Sequence, residues 1–210
     1  VTDDAAASFS TKPTLVGEKV TLRPFRLDED LPALRALLQD PEVARLTGSV
    51  SRSAAAPWND VAEQRMRNWY DTRNDQPDRL DLAVVDQASD GCVGEVVLNE
   101  RDRLNRSCNL RIALASAGQD RGLGTEAMRL MVGHGFERLG LHRISLTVFE
   151  FNPRARRVYE KVGFVAEGVQ RDVLLYDGAW VNDVVMSVLA PEWERHRGRP
   201  EAVADQSLRR

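Results

Sequence analysis

Seven residues, Gln119-Asp120-Arg121-Gly122-Leu123-Gly124-Thr125, restrict this chain more than any others. They lie between an apolar run of strand character, Leu110 to Leu114, and a helical pattern from about Thr125 to Leu139. A strand, a glycine-bearing loop and a helix start, in that order, aim free backbone N–H groups and the positive end of a helix dipole at one point. That point suits an anion, most simply a phosphate or pyrophosphate. Gly122 and Gly124 put no side chain in the way of close backbone approach, and Arg121 can add a charge-assisted contact. Glycine pairs at strand-to-helix turns also serve as plain tight turns, so the loop alone leaves both readings open.

The next strand, Ile144 to Phe151, runs into Asn152-Pro153-Arg154-Ala155-Arg156-Arg157-Val158-Tyr159-Glu160-Lys161-Val162-Gly163-Phe164. Asparagine is a favoured N-cap and proline suits the first helical position, so a helix begins at Asn152. It ends with Lys161 in the last turn and Gly163 at the C-cap. Ala155, Val158, Tyr159 and Val162 share the face turned toward the sheet. The phenol of Tyr159 is therefore carried inward, where it needs a hydrogen-bond partner.

The pattern QxxGxG after one strand, followed by NxxAxxxYxxxGF after the next, resembles the GNAT superfamily of acyl-CoA-dependent N-acetyltransferases, over roughly Val16 to Trp193. Thr125-Glu126-Ala127, Glu167-Gly168 and Asp183 to Met186 resemble most the branch of Rim-type protein, polyamine and some aminoglycoside acetyltransferases. The resemblance implies an α/β fold of the α+β kind. Its mixed, mostly antiparallel central sheet is splayed at the cofactor site and flanked by helices. It also implies acetyl-CoA as acyl donor. Ile112, Ala113 and Leu114 would offer backbone groups to the pantetheine arm, Gln119, Arg121, Gly122, Leu123, Gly124 and Thr125 would hold the pyrophosphate, and Asn152 would bond the arm near the thioester. Tyr159 matches the family's tyrosine, the general acid toward the departing sulfur; a packed tyrosine bonded to a carbonyl is the alternative.

The base is less plainly marked. Many relatives carry an acid near the start of the strand before the loop, but Ser107-Cys108-Asn109-Leu110-Arg111 has none. Glu95 on the neighbouring strand is the first substitute, Glu150 the second, and a water relay the third. The leading expectation is acetyl transfer to a primary amine, of a small molecule or a protein N-terminus, by direct attack on the thioester. The missing acid motivates a second, a non-catalytic acyl-CoA sensor or docking module. A nucleotide-binding protein is disfavoured, since no Walker-type lysine follows the glycines and a three-glycine spacing is missing.

At 210 residues the chain suits one domain, 14–193, with flexible tails at 1–13 and 194–210. A net charge of -3 gives no general reason to bind nucleic acid or an anionic membrane, and mildly favours a basic acceptor. No apolar run reaches the ~18 residues of a membrane span, and Val1 to Thr11 lacks a signal-peptide layout, so a cytoplasmic protein is expected. Cys92 and Cys108 have no metal-type spacing and read as reduced; no metal site is assigned. A homodimer through edge strands or the final hairpin is compatible with the resemblance.

Elsewhere, Val16 to Phe25 has strand character, and Asp28-Glu29-Asp30 opens a helix with a Leu31, Leu34, Leu37, Leu38 stripe that Asp40-Pro41 ends. Gly48 to Pro57 reads as a connection and Asp60 to Thr72 as a helix. Trp58, Trp69 and Tyr70 either line an acceptor cavity or anchor that helix to the sheet. Leu80 to Val85 and Cys92 to Leu98 pair through a turn at Ser89-Asp90-Gly91, and Val169 to Tyr176 pairs with Trp180 to Leu189 through Asp177-Gly178. His134 lies in a helix body away from the anion end and reads as structural.

Overall fold

The computed structural model describes residues 8–50 and 57–197. Among these, eight strands, β1 (Leu15–Val16), β2 (Val20–Arg23), β3 (Leu80–Asp86), β4 (Gly91–Asp102), β5 (Ser107–Leu114), β6 (Arg143–Phe149), β7 (Val165–Tyr176) and β8 (Ala179–Leu189), form one sheet. Its order is β1-β2-β3-β4-β5-β6-β8-β7, and only β5 and β6 pair in parallel. Six α-helices flank it: α1 (Leu27–Gln39), α2 (Pro41–Leu46), α3 (Asp60–Asp71), α4 (Leu123–Glu137), α5 (Pro153–Val162) and α6 (Ala190–His196). This is the mixed, mostly antiparallel architecture expected from the sequence.

Strand alternation gives the sheet two apolar faces. On one, Leu123, Ala127, Met128 and Met131 of α4 pack against Leu82, Val96, Leu98, Leu110 and Ile144. On the other, Leu31, Leu34 and Leu37 of α1 and Met66 and Tyr70 of α3 cover Ala83 and Val85. Gly94 lets β4 and β5 close between these layers, because a Cβ there would stand 2.1 Å from the Ala113 carbonyl oxygen. The parallel pair runs only from Ser107 opposite Arg143 to Asn109 opposite Ser145, after which β5 and β6 part. The β5 edge beyond Asn109 therefore faces an opening instead of a strand.

Helix caps set where that opening is walled. The Asn152 Oδ1 accepts from the Ala155 N–H at 3.0 Å, Pro153 occupies the first turn, and Gly163 closes α5 at a φ of 106°. Asp40 does more than end α1. Its Oδ1 accepts from the N–H groups of Glu42 (2.9 Å) and Val43 (3.3 Å), so Asp40-Pro41 is also the N-cap and first residue of α2, a helix the sequence reading lacked.

The tails are shorter than expected. Phe9 is fully buried, and the Lys12 Nζ donates to the carbonyls of Phe9, Gln76 and Arg79 at 2.7, 2.6 and 2.5 Å, so residues 8–13 belong to the folded domain. At the other end α6 continues past Trp193, with His196 Nε2 2.9 Å from the Lys161 carbonyl and Arg197 paired to Glu137 at 2.9 Å. The rest of both tails, and 51–56 of the expected connection, lie outside the described residues. Burial pushes the Cys92 thiol up to about 11 and the Cys108 thiol up to about 12, so both stay protonated at neutral pH. Among the described residues, no helix is long and apolar enough to cross a membrane.

Candidate active site

Where β5 and β6 part, a cavity of about 500 Å³ opens, walled by Ile112, Ala113 and Leu114 of β5, by the loop into α4, and by α5. Gly122 is the N-cap of α4 and holds a φ of 81°, a left-handed conformation that glycine adopts without strain. The helical ladder begins with the Glu126 N–H on the Gly122 carbonyl at 3.1 Å, so the N–H groups of Leu123, Gly124 and Thr125 precede it. Gln119, Gly122, Gly124 and Thr125 all line the cavity, as does Asn152. The Gln119 Nε2 also donates to the Leu114 carbonyl at 3.0 Å, which ties the loop to the end of β5 and occupies one of the expected strand-edge acceptors. Glu126, just past the loop, is absorbed by the scaffold: it accepts from the backbone N–H groups of Glu18, Lys19 (2.9 Å) and Val20 (3.1 Å) and pins the β1–β2 turn to α4.

Two residues expected at the anion site are placed otherwise. Arg121 turns to β3, where its Nη1 donates to Asp86 at 2.8 Å and to the Ala117 carbonyl at 3.3 Å, and it is not on the cavity wall. The guanidinium holds the Asp86 carboxyl below the usual carboxylate range. Leu123 sends its side chain into the core at 2 % exposure, leaving its N–H as what it can offer the cavity. Cationic charge comes instead from α5, through Arg154, Arg157 and Lys161. Arg154 stands 3.5 Å from Asp120, the one acid of the loop.

Tyr159 reaches the cavity wall as the helical spacing requires. Its ring packs against Phe164, with centroids 6.2 Å apart, and burial pushes its hydroxyl up to about 12. The expected hydrogen-bond partner is not found: among the described residues no group bonds the Tyr159 hydroxyl.

A second cavity of about 550 Å³ lies on the α1–α3 side of β5. It shares Val43, Thr47, Ile112 and Ala113 with the first, so the two meet near the C-terminal end of β5. Trp58, Trp69 and Tyr70 all line it. Tyr70 also packs edge-on against Phe25, centroids 5.0 Å apart, so it both anchors α3 and walls the cavity. Glu95 stands on this wall directly opposite Ala113. The Tyr70 hydroxyl donates to its carboxylate, yet burial dominates and raises the carboxyl above its usual range.

The other candidates lie elsewhere. Glu150 is exposed, accepts from the Asn182 N–H and side-chain amide at 3.2 and 3.1 Å, and lines neither cavity. Asn109 donates to Asn99 at 3.0 Å. His134 is away from both cavities, with a buried Nε2 that has no partner among the described residues and a pKa lowered by burial. Among the described residues no group of three or more metal-ligating side chains is found. The residues missed by sequence reading include Val43 and Thr47, which the Asp40-Pro41-Glu42 cap could have placed, Arg111, which strand alternation puts on the same face as Ala113, and the α5 cations Arg154, Arg157 and Lys161, which the helical spacing from Asn152 could have placed.

The family model described as an acetyltransferase (GNAT) domain matches residues 19–165. The chain is 31% identical over 137 residues to the "Probable N-acetyltransferase YjcK" of Bacillus subtilis, a match covering 64% of this chain and 76% of that protein. With the spermidine N(1)-acetyltransferase of Escherichia coli K12 it shares 26% identity over 174 residues, 83% of this chain and 88% of that one. Among solved structures, spermidine N-acetyltransferase from Vibrio cholerae in complex with CoA and spermine has a TM-score of 0.73 at 22% identity, covering 85% of this chain and 99% of that chain, a likeness of fold.

Proposed function

The chain belongs to the GNAT acetyltransferase family and is an acetyltransferase; from that premise we propose that it moves acetyl from acetyl-CoA to a primary amine, of a small molecule or a protein N-terminus, by direct attack on the thioester. The observation that carries this reading is the meeting of two cavities at Ile112 and Ala113, one with free helix N–H groups and α5 cations, the other with a carboxylate. The first cavity fits a long phosphate-bearing molecule: an unpaired β5 edge for an amide-bearing arm, and the α4 N-terminus with Arg154, Arg157 and Lys161 for phosphates. Acetyl-CoA supplies an activated acetyl carbon there.

The chain's own residues then have two proton tasks. Glu95 takes the proton that the amine must lose; its raised pKa brings its basicity closer to that of an amine, which suits a general base. As the N–C bond forms and the C–S bond breaks, Tyr159 donates a hydrogen bond to the departing sulfur. With its hydroxyl near 12 against about 8.5 for an ordinary thiol, complete transfer would run uphill by about 5 kcal/mol. Tyr159 therefore stabilises the thiolate until the amine's proton reaches it. Much of the acceleration comes from alignment across the Ala113 junction. A carboxylate on the acceptor-cavity wall counts against the non-catalytic alternative, which rested on the missing acid near Asn109. The same reading keeps a cytoplasmic location and a homodimer through the outer hairpin, where Val165, Val169 and Trp180 stand exposed.

The test is thermal unfolding with saturating acetyl-CoA, with NADH and ATP as controls, followed by thiol release with added amines. Ligand at about a hundred times its Kd adds about 2.7 kcal/mol, a Tm rise of about 5 to 11 °C for a chain of this size. A rise with acetyl-CoA and amine-dependent thiol release are expected; an unchanged Tm would remove the cofactor and the function with it.

A further inference from the structure

We infer that the amine acceptor carries a carboxylate, received by Arg111 and Arg65 while its amine lies at Glu95 beside Ala113. This deepens the acetyltransferase reading and rests on it. The second cavity counts three arginines on its wall, Arg65, Arg79 and Arg111, against one carboxylate, Glu95. Arg79 is committed: it holds the buried Asp81 through two bonds of 2.7 Å each. Arg73, just behind the wall, is committed as well, bonded to the Trp69 carbonyl at 2.9 Å and stacked over its ring at 3.9 Å. Arg65 and Arg111 have no hydrogen-bond or ion-pair partner among the described residues. Two arginines thus line the acceptor cavity, and among the described residues the only carboxylate on its wall is that of Glu95, which is needed as base.

The chain's net charge of -3 suggested a basic acceptor, and the local arrangement reverses that. A polyamine would bring further positive charges into a site where, with Arg79 neutralised by Asp81, one acid faces Arg65 and Arg111, and like charges repel. An anionic group is instead attracted, and guanidinium binds carboxylate through paired, charge-assisted bonds.

Strand geometry sets the spacing. Arg111 and Ala113 lie on the same face of β5, two residues or about 7 Å apart, and Glu95 is the cross-strand neighbour of Ala113. An amine placed at the junction therefore has its carboxylate several ångströms away, toward Arg111. Trp58 and Trp69 offer apolar walls for whatever joins them. The class described is a small amino-carboxylate, and a volume of about 550 Å³ is of ordinary size for such a ligand.

The experiment compares α-amino acids and ω-amino acids of graded length, each against its own carboxamide, with spermidine alongside, in the thiol-release assay on the full chain. The carboxylate is expected to raise kcat/KM over the matched amide by about 10- to 100-fold for the best length, as removing a charged hydrogen-bond partner does. Arg111→Gln should erase that ratio, chiefly through KM, while the acetyl-CoA thermal shift stays as in the wild type and shows the variant folded. Arg111→Glu should reverse the preference toward the amide, and Arg65→Gln, on the exposed side of α3, should weaken it without affecting the fold. Equal or better use of the amide, or a preference for spermidine, overturns the inference and leaves the acetyltransferase standing. Loss of the acetyl-CoA shift in the wild type would instead take down both.

Discussion

Glu95→Gln is expected to disable the protein and stabilise it together. The side chain sits on β4 opposite Ala113, its carboxyl raised chiefly by burial despite the Tyr70 hydrogen bond and the nearby Arg111 and Arg79. The native state thus holds the Glu95 proton more tightly than the unfolded chain does, whose carboxyl titrates near the ordinary 4.5. Between those two pKa values the native state binds more protons, so stability falls as pH rises through the window, and the whole cost is present above it. Each unit of raised pKa corresponds to about 1.4 kcal/mol, or about 3 to 6 °C of Tm for a chain of this length, as an upper bound because Glu95 is only half-buried on the cavity wall. Glutamine keeps the shape and the bond from Tyr70 without the charge. Its Tm should therefore exceed the wild type's at pH 8 and approach it below pH 4.5.

Activity should move the other way. Removing a positioned general base lowers turnover by about 10²- to 10⁴-fold. In the wild type the acidic limb of kcat/KM should lie above the ordinary carboxylate range, and Tyr70→Phe, which removes a bond favouring the charged form, should push that limb higher still. Scanning calorimetry at pH 4.5 and 8, with pH–rate profiles of the three proteins, checks all of this. Turnover of Glu95→Gln within threefold of wild type, or a lower Tm at pH 8, would refute the assignment of a strained basic carboxylate to this position.

Tyr159→Phe should lower turnover by about 10²-fold or more while leaving acetyl-CoA affinity and Tm nearly unchanged, because no protein group among the described residues bonds the hydroxyl; steady-state kinetics beside a binding titration separate the two. Gly122→Ala should cost about 1 to 3 kcal/mol of backbone strain at a φ of 81° and weaken acetyl-CoA, with only ordinary contact to Lys19 Nζ at 3.4 Å. Gly124→Ala, which meets the flexible Leu114 Cδ1 at 3.1 Å, should cost less than about 1 kcal/mol, and chemical denaturation measures both. Asp30→Ala should destabilise by about 3 kcal/mol, since it removes the bond from the Arg26 N–H and the two 2.8 Å bonds from the buried Arg23 guanidinium, which then keeps only the Pro24 carbonyl and Glu29 at 3.9 Å; a urea midpoint shift reads it.

The cofactor side was legible because its signals are local. Gly122 at a left-handed N-cap, Asn152-Pro153 at a helix start and Gly163 at a helix end each follow from the conformational freedom of one residue, and the spacing to Tyr159 is helical arithmetic. Arg121 shows the limit of that reasoning. Its place in the loop suggests a phosphate, but a side chain that long can turn to either side, and Asp86, an acid on a strand 35 residues away, captures it. Asp40-Pro41 shows another: one signal ends α1 and begins α2, and only the first meaning was taken.

The acceptor side was less legible for a different reason. Its wall is assembled from α1, α2, α3, β4 and β5, and no short stretch of sequence contains two of its charged residues in a recognisable pattern. Overall charge pointed one way while the cavity points the other, because net charge averages over a surface of which the cavity is a small part. Arg111 is exposed and makes no hydrogen bond or ion pair among the described residues, its charge acting on Glu95 alone of the candidate site, whereas Ala113, two residues on, lies where the two cavities join. The scaffold therefore leaves the charge at 111 free to follow the acceptor. Substitution there should alter which amine is used long before it alters stability or the binding of acetyl-CoA.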